Sequence, residues 1–190
     1  MPKSTIASAM LFLALMALPL HAAQRIMVMK NGLLIDGELA LTHETEANSD
    51  ALQQIFPDFK IRIEESWGEG TRYFKYVIYD KGRKVLEVDP GAEAEQDQLV
   101  QEFRAYAPSI SDWNGIRPGD TYDRLRSAMK VSCALSEEAG TLILCSAEGM
   151  DNVQYVFLNP ERATERGEMG LSPRLRIHHI RWFWLGERAE

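Results

Sequence analysis

Val131-Ser-Cys-Ala-Leu135 and Thr141-Leu-Ile-Leu-Cys145 are two apolar runs that contain β-branched residues, and they are separated by Ser136-Glu-Glu-Ala-Gly140. The intervening segment is polar and ends in glycine. This pattern predicts a β-hairpin. If the turn is centred on the polar segment, Cys133 lies directly opposite Cys145 on the neighbouring strand. A cross-strand disulfide is then geometrically natural, and the last third of the chain is organised around it.

The first 23 residues are typical of a secretory signal peptide. Lys3 supplies a positive charge at the start, residues 6–20 are mainly apolar, and residues 20–23 offer small side chains for cleavage. The apolar run is short for a membrane span. No cysteine stands near the cleavage site to accept a lipid. We therefore expect a periplasmic protein of residues 24–190, without a stable membrane span.

The chain carries a net negative charge. The 190 residues carry 21 bases and 28 acids, a formal charge of −7, and removal of the signal takes away one base and no acid, which leaves −8. Nucleic acids and anionic membrane surfaces attract basic proteins, so they are not expected partners of this acidic chain. A basic envelope or secreted protein is compatible with this charge.

The chain has two cysteines, Cys133 and Cys145. An even pair in an exported chain is typical of a disulfide, because the periplasm is oxidising. Closing so short a loop should stabilise the fold by about 3 kcal/mol. Metal binding is the weaker interpretation, because no histidine or third cysteine is nearby in the sequence. No metal and no cofactor is expected.

Short strand patterns alternate with turn residues along the rest of the chain, and they predict an α+β fold with antiparallel sheets. Asn48 and either Asp120 or Thr121 are expected to cap two short helices. Residues 98–106 fit a helix or a strand. Strands are predicted at 25–29, 33–35, 38–41, 59–63, 71–79, 84–88, 131–135, 141–145, 152–158 and 175–184.

The two halves of the chain share an order of elements, a short capped helix followed by strands. This order suggests two αβββ units that share one core. The expected organisation is a single α+β domain over 24–190, with candidate subunits at 24–108 and 109–190.

Residues with catalytic chemistry are present but form no recognisable motif. The sequence has no phosphate loop, no dinucleotide fingerprint and no serine in a nucleophile-elbow context. His178 and His179 should point to opposite faces if they lie in a regular strand, and they could not then bind one ion together. Glu148 is the one acid that we single out, although a turn residue beside Gly149 is its simpler role. We expect no catalytic residues.

A more suggestive feature is Trp67, which lies in Glu64-Glu-Ser-Trp-Gly-Glu-Gly70. The segment is predicted to connect two strands, so a large aromatic flanked by acids would stand at a hairpin tip. Trp67, with Glu65 and Glu69, is therefore our candidate partner-binding site. The alternative is that Trp67 folds back over the end of the sheet.

Several motifs in the last third of the chain occur together and in a fixed order. They are Gly115-Ile-Arg-Pro-Gly119, Tyr122-Asp-Arg-Leu125, Cys133 with Cys145-Ser-Ala-Glu-Gly149, Val153-Gln-Tyr-Val-Phe157, Gly170-Leu-Ser-Pro173 and Ile180-Arg-Trp182. Residues 110–184 thereby resemble the RpoE-regulated lipoprotein family of Gram-negative envelopes, a domain of unknown function. The resemblance implies an envelope location, a mixed α and β domain, and a strand within residues 99–106. The family's lipid-bearing cysteine is absent here, so the membrane anchor is not carried over.

Together these features favour an exported, non-enzymatic periplasmic protein that binds another envelope protein. An inhibitor or immunity protein against a basic hydrolase is one concrete version, because acidic loops with an aromatic side chain suit a basic cleft. The alternatives are a structural or stress-linked envelope factor without a tight partner, and a hydrolase that uses paired carboxylates.

Overall fold

The structure is a computed structural model that describes residues 24–68, 71–91, 98–136, 141–159 and 171–186. Glu69 and most of the predicted polar loop at 159–173 lie outside these ranges. Over the described residues the chain forms short strands and two helices. They are β1 (Ile26–Met29), β2 (Gly32–Ile35), β3 (Glu38–Leu41), α1 (Ser49–Ile55), β4 (Lys60–Gly68), β5 (Thr71–Asp80), β6 (Arg83–Asp89), β7 (Glu102–Ala105), β8 (Ile110–Asp112), α2 (Tyr122–Ala128), β9 (Val131–Leu135), β10 (Leu142–Ala147), β11 (Met150–Leu158) and β12 (Ile177–Phe183).

The strands form two sheets. The smaller has the order β3-β2-β1-β8, and the larger has the order β4-β5-β6-β7-β12-β11-β10-β9. Neighbouring strands are antiparallel, with the exception of β1 and β8, which are parallel. The predicted α+β fold is confirmed.

The larger sheet consists of two similar halves. In each half, a helix is followed by four consecutive strands that lie side by side in the sheet: β4 to β7 after α1, and β9 to β12 after α2. The halves meet where β7 pairs with β12. In that central pair, Phe103 lies opposite Trp182. The structure therefore adds a fourth strand to each of the predicted αβββ units.

The two helices begin where their caps predict. The side chain of Asn48 accepts a hydrogen bond from the Ala51 N–H, and that of Thr121 accepts one from the Arg124 N–H. Each helix has seven residues and buries one leucine, Leu52 or Leu125. Helices this short depend on tertiary packing for their stability. Within the described residues, no helix has both the length and the apolar character needed to cross a membrane.

The core lies between the smaller sheet and one face of the larger sheet. Val28 and Leu33 of the smaller sheet belong to the same buried cluster as Phe103 and Trp182 of the larger one. The indole Nε1 of Trp182 also donates to the carbonyl oxygen of Lys30, at 3.0 Å, and this bond ties the two layers together.

The opposite face of the larger sheet carries charged and polar side chains along its centre, and we call it the outer face. Each of the central strands β6, β7, β12 and β11 contributes one side chain to a row across this face. The four residues form a row because each is paired directly with the next on the neighbouring strand. The row consists of Glu87, Arg104, Arg181 and Gln154.

The cysteine hairpin has the predicted register. Cys133 lies opposite Cys145, and Leu135 lies opposite Ile143. The two cysteine Cα atoms are 4.0 Å apart and their sulfur atoms are at bonding distance. The predicted hairpin register is confirmed, and the two cysteines lie at disulfide distance.

Some boundaries differ from the sequence prediction. β4 continues to Gly68, so Trp67 lies in a strand rather than in a connecting loop. Residues 102–105 form a strand, which resolves the helix or strand ambiguity. Strand β8 was not predicted, because three residues are too short to show a periodic pattern.

Candidate functional site

Trp67 lies near the free end of the β4–β5 hairpin, opposite Arg72. Trp67 is 74% exposed, and Ile63, on the same side of the strand, is 53% exposed. Trp67 therefore does not fold back over the end of the sheet, and the alternative that we considered for it is wrong.

The acids beside Trp67 do not form an open acidic surface in the described residues. The carboxylate of Glu65 accepts from both Nη2 and Nε of Arg72, at 2.7 and 3.2 Å. The guanidinium of Arg72 also lies 4.5 Å from the centre of the Phe74 ring. Arg72 therefore offsets the charge of Glu65. Glu69, the third residue of the predicted site, lies outside the described residues.

A groove of about 340 Å³ lies beside Ile63 on the same face of the hairpin. It is lined by Ile63, Glu65, Phe74, Tyr76 and Gln98. Among the described strands, β4 pairs with β5 alone and forms one edge of the larger sheet. An exposed edge of this kind offers backbone N–H and C=O groups to a partner. Trp67, Ile63 and the groove form what we call the hairpin surface.

A second polar site lies on the outer face and is centred on Glu87. This residue is 4% exposed, and its carboxylate accepts hydrogen bonds from Lys84, Lys75 and Tyr106 at 2.9, 3.1 and 2.5 Å. Burial by itself would raise the pKa of Glu87. The hydrogen bonds from Tyr106 and the two lysines outweigh burial and hold that pKa at about 2. The carboxylate is therefore ionised at neutral pH although it is buried.

Glu102 joins Arg104 of its own strand, β7, to Arg181 of the neighbouring strand, β12. Its carboxylate accepts from Arg104 Nε and from Arg181 Nη2. The Nε atom of Arg181 is buried without a hydrogen-bond partner, and so is the Oε1 atom of Gln154, which lies opposite Arg181 in the register. Buried polar groups without partners are costly, and a water or a ligand usually satisfies them.

The two consecutive histidines lie together, and the prediction that they point to opposite faces is wrong. Val156 pairs with His179 and Phe157 pairs with Ile177, so His178 is an extra residue in β12. Such a β-bulge interrupts the alternation of side chains. As a result, the Nδ1 atoms of the two rings are 2.8 Å apart.

Burial favours the neutral form of both histidines. Burial lowers the pKa of His179 to about 3, and His178 and Arg104 add to this effect. Burial, followed by Lys84, also lowers the pKa of His178. Within the described part of the chain, no three residues of the types His, Cys, Asp and Glu are grouped so that they could hold a metal ion.

Beside the histidines, the outer face contains a cleft of about 400 Å³, which we call the outer-face cleft. Its lining combines two guanidinium groups, an imidazole and a hydroxyl with three aliphatic side chains. These residues are Arg104, Arg181, His179, Ser136, Leu142, Leu144 and Val156. The combination of orienting polar groups and apolar wall is typical of small-molecule sites.

Two further carboxylates, those of Glu148 and Asp112, occupy positions that a structural role explains. Glu148 precedes Gly149, whose φ is +78°, in the turn between β10 and β11, and its exposed carboxylate lies 3.0 Å from Lys130 Nζ. Asp112 is buried and accepts from the hydroxyl of Tyr155 at 2.5 Å and from the backbone N–H of Ile116 at 2.7 Å. Burial raises the pKa of Asp112. Its hydrogen bonds fix the loop that follows β8.

No family model and no curated protein matches this sequence. Among solved structures, the crystal structure of the uncharacterized protein yfeY from Escherichia coli is similar, with a TM-score of 0.56 and 15% sequence identity. The likeness covers 76% of this chain and 94% of that chain. At this identity the comparison establishes a shared α+β fold, which agrees with the fold implied by the family resemblance of residues 110–184.

Proposed function

We propose that the protein is an exported, non-enzymatic binding protein that contacts another envelope protein through the hairpin surface. The observation that carries this proposal is the 74% exposure of Trp67 at the end of an edge hairpin, with Ile63 exposed on the same face of the strand, beyond Glu65. Tryptophan is among the residues that most often dominate the energy of a protein interface.

The exposed area of Trp67 is large enough to matter for affinity. A tryptophan side chain buries on the order of 200 Å² when it is fully covered, so about 150 Å² remains to be covered here. At about 25 cal/mol per Å², this burial would contribute about 3 to 4 kcal/mol to binding. The neighbouring groove can accept an apolar side chain of the partner.

The proposed partner is a basic protein, and a basic hydrolase that this chain inhibits is the specific version. The formal charge of −8 for residues 24–190 supports a basic partner through long-range attraction. Because Arg72 is paired with Glu65 and offsets its charge, we expect apolar contacts to contribute more than acidic ones to binding at the hairpin surface itself.

Two sequence features support export. Residues 1–23 have the pattern of a signal peptide, and Cys133 and Cys145 are placed for a disulfide, which persists in oxidising compartments. Support for a non-enzymatic role comes from Glu148, the one acid singled out from the sequence. It lies in an exposed turn and is paired with Lys130.

The experiment is affinity capture from an envelope fraction after crosslinking, followed by a measured dissociation constant for each captured protein. The test variant is Trp67→Ala, and Tyr73→Ala is the matched control. Tyr73 is an exposed aromatic residue of the same hairpin, but it alternates with Arg72 and so lies on the opposite side. Thermal unfolding of both variants verifies that they fold.

The proposal predicts one stoichiometric protein that binds the parent chain and Tyr73→Ala equally. Trp67→Ala should weaken this binding by about 100-fold, which corresponds to about 2.7 kcal/mol. Equal binding by the parent chain and both variants would show that Trp67 does not contribute to binding. An empty capture would favour the alternative of an envelope factor without a tight partner.

A further inference from the structure

The outer-face cleft has the composition of a small-ligand site, and it lies away from the hairpin surface. Arg104 and Arg181 occupy the side of the sheet opposite Phe103 and Trp182, since neighbouring residues of a strand alternate between faces. The cleft therefore opens on the face opposite the core, whereas Trp67 shares the core side of the sheet with Phe74.

We propose that the outer-face cleft binds a small organic anion, a monocarboxylate with a short apolar tail. This inference goes beyond the binding of an envelope protein, and it concerns a separate surface and a separate class of ligand. It rests on a cavity of about 400 Å³ whose two ends differ in chemistry.

One end of the cleft is cationic. Glu102 holds the guanidinium groups of Arg104 and Arg181 from between them, so the two are fixed at neighbouring positions on β7 and β12. Arg181 donates to Glu102 through Nη2, and its Nε has no partner. A guanidinium has five N–H donors in a planar fork that suits a carboxylate. The side chain of each arginine is one-third exposed although Arg181 Nε itself is buried, so a ligand would reach the other donors of the guanidinium groups.

The two arginines belong to a larger ion-paired cluster with a slight excess of positive charge, in contrast to the acidic chain as a whole. Among the described residues, this cluster contains four cations and three carboxylates, which leaves one net positive charge. The members are Lys75, Lys84, Arg104 and Arg181 with Glu64, Glu87 and Glu102. A single carboxylate would balance this charge, whereas a cation would be repelled.

The other end of the cleft is apolar. Leu142, Leu144 and Val156 line it from β10 and β11, and the first two are partly exposed. An aliphatic tail lying against them would be removed from water, at about 0.8 kcal/mol for each buried CH₂ group. His179 stands between the two ends and is neutral, so it adds no competing charge. Affinity should therefore require both a carboxylate and a tail.

The experiment uses octanoate as the probe, with acetate and 1-octanol as controls that lack the tail or the charge. Titrations are followed by calorimetry and by the NMR resonance of the Arg181 Nε–H group. We expect octanoate to shift this resonance and to bind at least tenfold more tightly than either control. The absence of a shift at 10 mM octanoate would overturn the proposal, and so would equal binding of octanoate and octanol.

Two variants test the two ends separately. Arg181→Lys keeps the charge but removes the fork, and it should weaken octanoate binding at least tenfold. Leu144→Asn should also weaken octanoate binding and leave the weak acetate response unchanged. Arg174→Lys, at an exposed arginine outside the cleft, is the matched control. If both cleft variants fold and bind octanoate as the parent chain does, the cleft is not the site.

Discussion

Replacement of His179 by glutamine should flatten the dependence of stability on pH. His179 is 7% exposed, and its pKa falls from 6.5 to about 3 in the folded chain. The folded state therefore resists protonation, whereas the unfolded state takes up a proton near pH 6.5. Stability from the neutral imidazole is complete above pH 6.5 and is lost as the pH falls toward 3.

The size of the effect follows from this shift. Each pH unit within the window removes up to about 1.4 kcal/mol of the free energy of unfolding. Between pH 8 and pH 4.5 the loss from His179 alone is about 2.5 kcal/mol. The groups that act on His179 are His178, Arg104, Glu87 and Arg181. Glu87, with a pKa of about 2, stays ionised over this range, so the hydrogen bonds around it persist.

The assay is urea unfolding, followed by tryptophan fluorescence, at pH 8.0, 6.5, 5.5 and 4.5. The parent chain should lose about 2.5 kcal/mol more than His179→Gln between the two extremes, whatever the absolute stability of the variant at pH 8. An NMR titration gives an independent readout of the same group. Parallel pH profiles for the two chains, or a His179 ring that titrates near pH 6.5, would refute the reasoning.

Two further predictions concern stability. The double variant Cys133→Ala with Cys145→Ala should fold but lose about 3 kcal/mol in denaturant unfolding, because the unfolded chain is no longer closed into a loop; free thiols in oxidised protein would contradict the pairing. Tyr155→Phe should lose about 1.5 to 3 kcal/mol, since the hydroxyl donates to the buried carboxylate of Asp112. An unchanged midpoint for Tyr155→Phe would show that this bond contributes nothing net.

Local structure could be predicted wherever the controlling interaction spans few residues. Asn48 and Thr121 were recognisable as caps because a cap bonds to a backbone N–H three residues away. The register of Cys133 and Cys145 followed from the length of one loop. Trp67 could be singled out by its context, but its exposure and the pairing of Glu65 with Arg72 depend on how the hairpin is placed in the tertiary structure.

The outer-face cleft could not be predicted from the sequence. Its only local signal is the alternation of strands β6, β7 and β12, which places Glu87, Arg104 and Arg181 opposite the apolar side chains of their strands. Nothing in that alternation indicates that the three strands are neighbours. The bulge at His178 was also missed, because a regular period of two was assumed for the whole strand.

The sequence by itself determined the short elements of this protein, its caps, its cysteine hairpin and its α+β class, because alternation, turn residues and capping act over a few positions. The tertiary structure decided which strands became neighbours. Arg104 and Arg181 are far apart in the chain, and they meet because the two halves of the sheet join at β7 and β12. Such a join depends on how the whole core packs and on the register that packing selects.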